Sequence, residues 1–218
     1  MKIFIDTANL EQIKKLQDLG ILDGVTTNPT LMYKEGISGL DNIYKHYKNI
    51  CEIVDGDVSA EIISTNYKEM IKEGEKLSDL HPQIVLKIPI IKEGIKAIRY
   101  FSDRGIKTNC TLIFSSSQAI LAAKAGASYI SPFIGRLDDI SFSGISLIKE
   151  IKNIYDNFSF ETEILAASIR HQIHIIECAK YGANVITAPF SVIMSLLNHP
   201  LTDIGLKIFL KDHKKLNK

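Results

Sequence analysis

Short apolar runs of strand length alternate with helix-like segments along the whole 218-residue chain. About eight such runs are present, at 2–6, 24–28, 57–62, 84–89, 107–112, 127–133, 161–166 and 184–188. Between them apolar residues recur at three- and four-residue steps, as Leu10, Ile13 and Leu16 do before Gly20. Regular alternation of strands and helices predicts a parallel sheet, either closed into a barrel or doubly wound with helices on both faces.

We favour the closed form, an α/β fold consisting of one (β/α)8 TIM barrel. Strand-like runs reach both ends of the chain, and no Gly-x-Gly-x-x-Gly pattern follows any of them. Because neither a linker nor a shift in composition divides the chain, we expect a single barrel domain over 1–218. Residues 200–218 are left over as an additional C-terminal helix, which either covers the barrel or reaches a neighbouring subunit.

Composition argues against several other classes of protein. Hydrophobic residues make up 45% of the chain and charged residues 23%, as in soluble globular proteins, and the net charge of +1 provides no field to attract nucleic acid or a membrane. No run has the length of a membrane span, and the first apolar run is too short for a signal sequence. The three cysteines lie far apart and indicate neither a disulfide framework nor a zinc site. We therefore expect a cytoplasmic protein.

Lys87 interrupts an otherwise apolar strand-like run, Ile84-Val85-Leu86-Lys87-Ile88-Pro89. An unpaired ammonium group is costly to bury, so a lysine that points into the interior tends to lose its proton. A neutral amine attacks carbonyl groups, which is the first step of Schiff-base chemistry. The alternative is a strand lysine whose stem packs in the core while its ammonium group reaches water.

Polar residues recur at the carboxyl ends of seven of the eight predicted strands, the end where (β/α)8 barrels carry their chemistry. In chain order they are Asp6, Thr26-Thr27-Asn28, Glu61, Lys87, Asn109 with Thr111, Ser131 followed by Arg136, and Ser168 with Arg170. Most of them taken alone have another explanation: a helix cap for Asp6, a turn for Asn28, a surface charge for Glu61 and the arginines, and a packed strand face for Asn109 and Thr111. Together, around one amine, they predict a ligand site.

The residue types in this predicted site suit a phosphorylated ketose. Lys87 is the candidate Schiff-base former, and Asp6 and Glu61 can divide the proton transfers. The side chains suited to sugar hydroxyls are Asn28, Asn109, Thr111 and Ser131. Those suited to a phosphate are Arg136, Arg170 and Ser168, because arginine binds phosphate through two donors. We also expect a helix to begin at 166–168, so that its N-terminus favours an anion near Ser168 and Arg170.

His171 and His174 lie three residues apart in a predicted helix, a spacing that can bind a metal ion. No carboxylate or thiol completes a local set of ligands. We therefore expect both histidines on the helix surface and no metal site.

The motifs around these residues closely resemble those of transaldolases, in the short subfamily that also contains fructose-6-phosphate aldolases. The most specific are Val25-Thr26-Thr27-Asn28-Pro29 and Leu86-Lys87-Ile88-Pro89. Further matches cover nearly the whole chain: Phe4-Ile5-Asp6-Thr7-Ala8, Asn109-Cys110-Thr111-Leu112, Ser131-Pro132-Phe133-Ile134-Gly135-Arg136 and Ala166-Ala167-Ser168-Ile169-Arg170.

The resemblance implies that Lys87 forms the Schiff base, that Asp6 takes the proton of the C4 hydroxyl, and that Glu61 activates a water during imine formation and release. It implies transfer of a dihydroxyacetone unit between sedoheptulose 7-phosphate or fructose 6-phosphate and glyceraldehyde 3-phosphate or erythrose 4-phosphate. This is a non-oxidative pentose phosphate step that needs neither a metal nor an organic cofactor. The resemblance also implies a homo-oligomer, a pentamer or decamer, in which the C-terminal helix packs on a neighbour.

Two positions separate transfer from simple cleavage in this subfamily. The aldolases that resemble this chain carry Gln at the position of Glu61 and Tyr at that of Phe133, a substrate-binding position. A carboxylate shuttles a proton where an amide cannot, and without the tyrosine hydroxyl the carbanion loses one source of protons. We therefore predict a transaldolase, with a fructose-6-phosphate aldolase that releases free dihydroxyacetone as the alternative. A sugar-phosphate binder without turnover is a third possibility, against which the intact set of Asp6, Glu61 and Lys87 argues.

Overall fold

The computed structural model describes residues 1–216, and its eight parallel strands form one closed barrel in sequence order. The barrel closes where Lys2 of the first strand lies in register with Val185 of the last. The strands are β1 (Lys2–Asp6), β2 (Gly24–Thr26), β3 (Asp57–Glu61), β4 (Ile84–Pro89), β5 (Thr108–Ile113), β6 (Tyr129–Pro132), β7 (Glu163–Ala166) and β8 (Val185–Ala188). The predicted TIM barrel is confirmed, and the doubly wound alternative is excluded.

Eleven helices accompany the strands over residues 1–216. They are α1 (Leu10–Asp18), α2 (Pro29–Lys34), α3 (Leu40–Cys51), α4 (Tyr67–Ser78), α5 (Lys92–Ser102), α6 (Ser116–Lys124), α7 (Ile134–Asp138), α8 (Gly144–Phe158), α9 (Gln172–Lys180), α10 (Phe190–Ser195) and α11 (Pro200–Leu216). Three short helices that follow strands directly, α2, α7 and α10, were not expected from the sequence.

The start of α1 shows how local side chains define an element. Asn9 caps the helix, because its side chain accepts a hydrogen bond from the backbone N–H of Gln12. The side chain of Gln12 does not return to Asn9 as in a capping box, but accepts a hydrogen bond from the Thr7 hydroxyl at 2.8 Å. Gly20, with φ of 68°, follows the helix in the left-handed conformation that glycine adopts without strain.

The barrel interior is divided by an apolar layer. Five buried side chains from five different strands form it: Phe4, Val85, Tyr129, Leu165 and Val185. Gly24 lies in register with Phe4, and a Cβ atom at Gly24 would come within 2.5 Å of the Phe4 ring, so the layer has no room for a side chain there. Because side chains alternate along a strand, the next inward residue toward the carboxyl end is polar in four of these five strands (Asp6, Lys87, Ser131 and Thr187) and is Ala167 in the fifth.

The C-terminal helix differs from the rest of the molecule, since none of the described residues of α11 is buried. Leu206, Phe209 and Leu210 are exposed on it. The final two positions of the predicted 200–218 extension lie outside the described residues. Over residues 1–216, no helix combines the length and the apolar character that crossing a membrane requires.

Candidate active site

A cavity of about 550 Å³ opens at the carboxyl ends of the barrel strands. Nine of the predicted site residues line it: Asp6, Asn28, Glu61, Lys87, Ser131, Phe133, Arg136, Ser168 and Arg170. Asn109 and Thr111 are buried beside it without lining it. The cavity lies on the side of the apolar layer where Asp6, Lys87, Ser131 and Thr187 are the inward residues.

Lys87 lies in the barrel interior at the level where β3 and β4 bring it in register with Glu61. Its Nζ atom is 3.0 Å from Glu61 Oε2 and donates a hydrogen bond to the backbone oxygen of Thr27 at 3.1 Å. The side chain of Lys87 is only 7% exposed. The amine is therefore buried as the sequence indicated, but it has a carboxylate partner instead of standing alone.

Asp6 ends β1 and lines the same cavity. Its Oδ1 atom accepts a hydrogen bond from the Thr26 hydroxyl at 2.8 Å. Burial raises the pKa of the Asp6 carboxyl above its usual value, and the negative charge of Glu61 adds to that rise, while the charge of Lys87 and the Thr26 hydrogen bond oppose it. A carboxyl group with a raised pKa is better matched to proton exchange near neutral pH.

Asn109 supports the cavity wall from behind. Its amide nitrogen donates to the Ser59 hydroxyl at 3.2 Å, and its amide oxygen accepts a hydrogen bond from the Ser131 hydroxyl at 2.8 Å. Ser131 itself lines the cavity, so Asn109 orients a lining residue. The buried hydroxyl of Thr111 has no hydrogen-bond partner among residues 1–216.

An irregularity in β5 adds a lining residue that the sequence patterns did not indicate. The register between β5 and β6 shifts between Cys110 and Ile113, and Leu112 adopts a left-handed φ of 62°. A bulge of this kind turns side chains away from strict alternation, and it places Leu112 in the cavity wall.

The two arginines stand at the cavity mouth with different partners. The Arg136 guanidinium lies 5.0 Å from the centroid of the Phe133 ring, within cation–π range. Arg170 Nη2 is 2.8 Å from Asp139 Oδ2. Gly135 makes room for Arg170, since a Cβ atom there would come within 2.6 Å of Arg170 Nε.

The expected helix start at 166–168 is wrong. Helix α9 begins at Gln172, after His171 as its N-cap residue. Ala167 instead extends the sheet by a parallel bridge to Phe133, and Ser168 has a left-handed φ of 60°. Ser168 and Arg170 therefore reach the cavity from a loop, because sheet pairing continues one residue beyond β7.

The expected surface position of His174 is also wrong. His174 is buried, its Nε2 atom lies 3.0 Å from Asp138 Oδ2, and its Nδ1 atom accepts a hydrogen bond from the Arg170 backbone N–H. Desolvation and the neighbouring His171 lower the pKa of His174, against the opposing effect of Asp138. Through these two contacts, His174 connects the loop that carries Arg170 to α7.

Within the described part of the chain, no group of three or more His, Cys, Asp or Glu side chains is placed to hold a metal ion.

Ten lining residues were not predicted as site residues, and four of them are polar or charged: Thr26, Thr30, Lys34 and Thr187. Lys34 reaches the cavity from α2, which the sequence did not indicate as a helix. Thr26 and Thr187 line the cavity from β2 and β8, and their hydroxyl oxygens are 2.6 Å apart. Thr187 was detectable, because Val185-Ile186-Thr187 alternates in the same way as the strands whose polar ends were recognised.

Known proteins with similar folds include enzymes of distant sequence. A thiamine phosphate pyrophosphorylase from Pyrococcus furiosus aligns with a TM-score of 0.60 at 13% identity, covering 86% of this chain and 85% of that one. A putative phosphonomutase from Burkholderia cenocepacia aligns with a TM-score of 0.63 at 12% identity, covering 98% of this chain and 93% of that one. At such low identity the likeness shows the fold alone.

Sequence comparisons are far more specific. The model of the family described as transaldolase/fructose-6-phosphate aldolase matches residues 3–218. Proteins named probable transaldolase are 66% identical in Cytophaga hutchinsonii and 63% identical in Phocaeicola vulgatus over 217 residues, and 65% identical in Flavobacterium psychrophilum over 218 residues. Each alignment covers the whole of both chains. The chain therefore belongs to the transaldolase/fructose-6-phosphate aldolase family.

Proposed function

We propose that this protein is a transaldolase that moves a dihydroxyacetone unit from a ketose phosphate to an aldose phosphate through a Schiff base at Lys87. One observation carries the proposal: a buried lysine, its carboxylate partner and a second carboxylate line the same cavity. Family membership and the names of the relatives support the same activity.

Imine formation uses the pair formed by Lys87 and Glu61. The ammonium group passes a proton to Glu61 Oε2 over their 3.0 Å contact, and the neutral amine then attacks the ketone carbon. A second proton moves from the attacking nitrogen to the ketone oxygen, which becomes a hydroxyl. Glu61 returns that proton to the departing hydroxyl, which leaves as water. The products are a protonated imine on Lys87 and an ionised Glu61, so the charge is balanced. Hydrolysis reverses the sequence, with Glu61 activating the attacking water.

Carbon–carbon cleavage uses Asp6. Asp6 takes the proton of the C4 hydroxyl while the C3–C4 bond breaks. The electron pair of that bond moves toward the protonated imine, which becomes an enamine. The aldose phosphate leaves and another enters. The enamine carbon then attacks the new aldehyde, and Asp6 returns the proton to its oxygen. Fructose 6-phosphate or sedoheptulose 7-phosphate is the donor, and glyceraldehyde 3-phosphate or erythrose 4-phosphate is the acceptor.

The rest of the cavity supports transfer over simple release of dihydroxyacetone. Phe133, which packs edge-on against Phe114 with ring centroids 5.8 Å apart, has no hydroxyl to protonate the enamine. Arg136, Arg170 and Ser168 at the mouth suit the phosphate of donor and acceptor. Asn28 and Ser131 in the walls suit the sugar hydroxyls.

Borohydride trapping tests the proposal. We expect fructose 6-phosphate with borohydride to give a stable adduct that peptide mapping places on Lys87, and Lys87→Ala to give none. Lys107→Ala, which removes another strand-end lysine of the barrel, is the matched control and should label normally. An adduct that persists in Lys87→Ala would show that another amine does the chemistry.

A coupled assay separates transfer from aldol cleavage. We expect sedoheptulose 7-phosphate to form from fructose 6-phosphate only when erythrose 4-phosphate is present. Rapid release of free dihydroxyacetone without an acceptor would favour the aldolase activity instead. Because the proposed steps use only side chains, activity should survive dialysis against a chelator.

We also propose a cytoplasmic homo-oligomer, a pentamer or decamer, that needs neither nucleic acid nor a membrane as partner. The exposed apolar residues of α11 support assembly through this helix. Light scattering should give a multiple of the 24.4 kDa chain, and removal of residues 200–218 should lower it. Recovery of the full-length chain as a monomer, or in the membrane fraction of cells, would contradict the proposal.

A further inference from the structure

Two threonines form a hydrogen-bonded series that connects the Asp6 carboxylate of β1 to β8. Thr26 Oγ1 is 2.8 Å from Asp6 Oδ1 and 2.6 Å from Thr187 Oγ1. Both threonines are almost completely buried, and both line the cavity together with Asp6. The strands β8 and β2 are not neighbours in the sheet, since β1 lies between them. Their hydroxyls meet only because the barrel is closed.

The direction of these hydrogen bonds follows from how many protons each group can donate. An ionised carboxylate only accepts hydrogen bonds, so the single hydroxyl proton of Thr26 goes to Asp6. Thr26 therefore accepts in its contact with Thr187, and Thr187 is the donor there. The result is an ordered chain in which Thr187 donates to Thr26 and Thr26 donates to Asp6. A hydroxyl that accepts one hydrogen bond is a stronger donor of the next.

We propose that Thr187 is a positioning residue, which holds the Thr26 hydroxyl in the orientation that donates to Asp6 during carbon–carbon cleavage. The assignment rests on the proposed function, in which Asp6 carries the proton of the C4 hydroxyl. It gives β8 a part in the site, alongside the seven other strands whose ends supply polar groups.

The role requires that Thr187 act through Thr26, and a double-mutant cycle measures this directly. We expect Thr187→Val to lower kcat for transfer about 3–10-fold, the range of one net hydrogen bond. Thr187→Ser, which keeps the hydroxyl, should remain within about 2-fold of wild type on the same scale. In a Thr26→Val background, Thr187→Val should have almost no further effect on kcat, because the chain is already broken.

A pH profile gives a readout that a purely structural residue would not move. The charged groups facing Asp6 are Lys87 from β4 and Glu61 from β3, and they are unchanged in these variants. Weakening the Thr26 donor removes part of what stabilises the Asp6 carboxylate, so the Asp6 pKa should rise further. Since Asp6 must be ionised to accept the proton, the acid limb of kcat should move to higher pH in Thr187→Val, and further in Thr26→Val.

Two measurements keep the outcome independent of the proposed reaction. Borohydride labelling of Lys87 should be equal in wild type and Thr187→Val, because imine formation does not involve the threonines. The Asp6 carboxyl carbon can be titrated by ¹³C NMR in the resting protein, with its signal assigned by its loss in Asp6→Asn. The midpoint of this titration should lie at higher pH in Thr187→Val than in wild type, even if no transfer occurs. Equal kcat losses in both backgrounds, no rescue by serine, or an unmoved Asp6 titration would each overturn the role of Thr187. Absent labelling of wild type would instead overturn the proposed function.

Discussion

Lys87 and Lys107 lie at opposite ends of the same barrel, and each pairs with a carboxylate of β3. Lys87 Nζ is 3.0 Å from Glu61, and Lys107 Nζ is 3.0 Å from Asp57. Their environments differ sharply, because the Lys87 side chain is 7% exposed and that of Lys107 is 56% exposed. Two lysine–carboxylate pairs of equal length therefore differ in their access to water: the Lys87 pair is largely buried, and the Lys107 pair is open to solvent.

The apolar layer around Phe4 and Val85 causes this difference, since it separates the two ends of the interior. At the open end water screens the charges, so the pair contributes little to stability and its amine is solvated. At the confined end the charges are desolvated, and a proton can pass between the amine and the carboxylate with little competing water. Chemistry is therefore expected only on the side of the layer where the carboxyl ends of the strands lie.

The largest expected effect is the loss of Lys87. Lys87→Met removes the side chain that forms the Schiff base in the proposed mechanism, so transfer should fall below detection and ketose labelling should disappear. Lys107→Met serves as the control and should leave both intact. Measurable transfer by Lys87→Met, with the same dependence on acceptor as wild type, would contradict the proposal that Lys87 and not Lys107 is the reactive lysine.

Asp6→Asn should reduce kcat by roughly 10²–10⁴-fold, the usual contribution of a positioned proton carrier. Labelling of Lys87 by fructose 6-phosphate and borohydride should persist, since the imine forms before Asp6 acts. Steady-state kinetics together with intact-protein mass spectrometry measure the two effects. A loss of labelling as large as the loss of transfer would place Asp6 in imine formation instead.

The same substitution should change the pH dependence of stability. Burial raises the Asp6 pKa in the folded state, so between the unfolded pKa of about 3.9 and the folded pKa the native protein holds more protons than the unfolded one. Stability of wild type therefore falls as pH rises through that window, and asparagine removes this loss. The Tm of Asp6→Asn relative to wild type should increase from pH 4 to pH 7. A difference that is constant with pH would contradict the assignment.

Gly24→Ala tests the apolar layer itself. The added methyl group would lie 2.5 Å from the Phe4 ring and 2.6 Å from the backbone oxygen of Asp57, so the layer must shift. We expect a loss of about 1–3 kcal/mol in the free energy of unfolding, as for overpacked cores. Urea titration measures it, with Gly205→Ala as control, because nothing lies within 4 Å of a Cβ atom there. Equal effects of the two substitutions would show that the layer is not tightly packed.

The smallest expected effect is that of Lys107→Met on stability. An exposed ion pair contributes about 0–1 kcal/mol, and Asp57 keeps the hydrogen bond from the Tyr129 hydroxyl at 2.7 Å. The free energy of unfolding should therefore change by no more than that amount, and less at high salt. A change of several kcal/mol in the free energy of unfolding would mean that the Lys107–Asp57 pair is as shielded from water as the Lys87–Glu61 pair.

Much of the fold followed from local patterns. The run at 84–89 coincides with β4, because its apolar and β-branched content is typical of a buried parallel strand. The expected strand at 24–28 stops at Thr26, since Asn28 instead caps α2. Helices α2, α7 and α10 have only five or six residues each, too few to show a helical period.

The candidate site also has a part that the sequence predicted and a part that it did not. Nine of its predicted residues could be placed together because carboxyl ends of parallel strands meet at one end of a barrel. The partners of those residues could not be predicted. The pairing of Arg170 with Asp139 and the burial of His174 depend on how α7 and α9 pack against the loop after β7.

The amino-acid sequence alone determined which segments form strands, the end of the barrel where chemistry is expected and the candidate nucleophile, because these depend on local periodicity and residue type. Only the tertiary structure decided which groups touch. The stagger of β3 against β4 gives Lys87 its carboxylate, and closure of the sheet brings Thr187 of β8 to Thr26 of β2 across β1. Contacts between residues 26 or 161 positions apart depend on the three-dimensional path of the chain, which no local pattern contains.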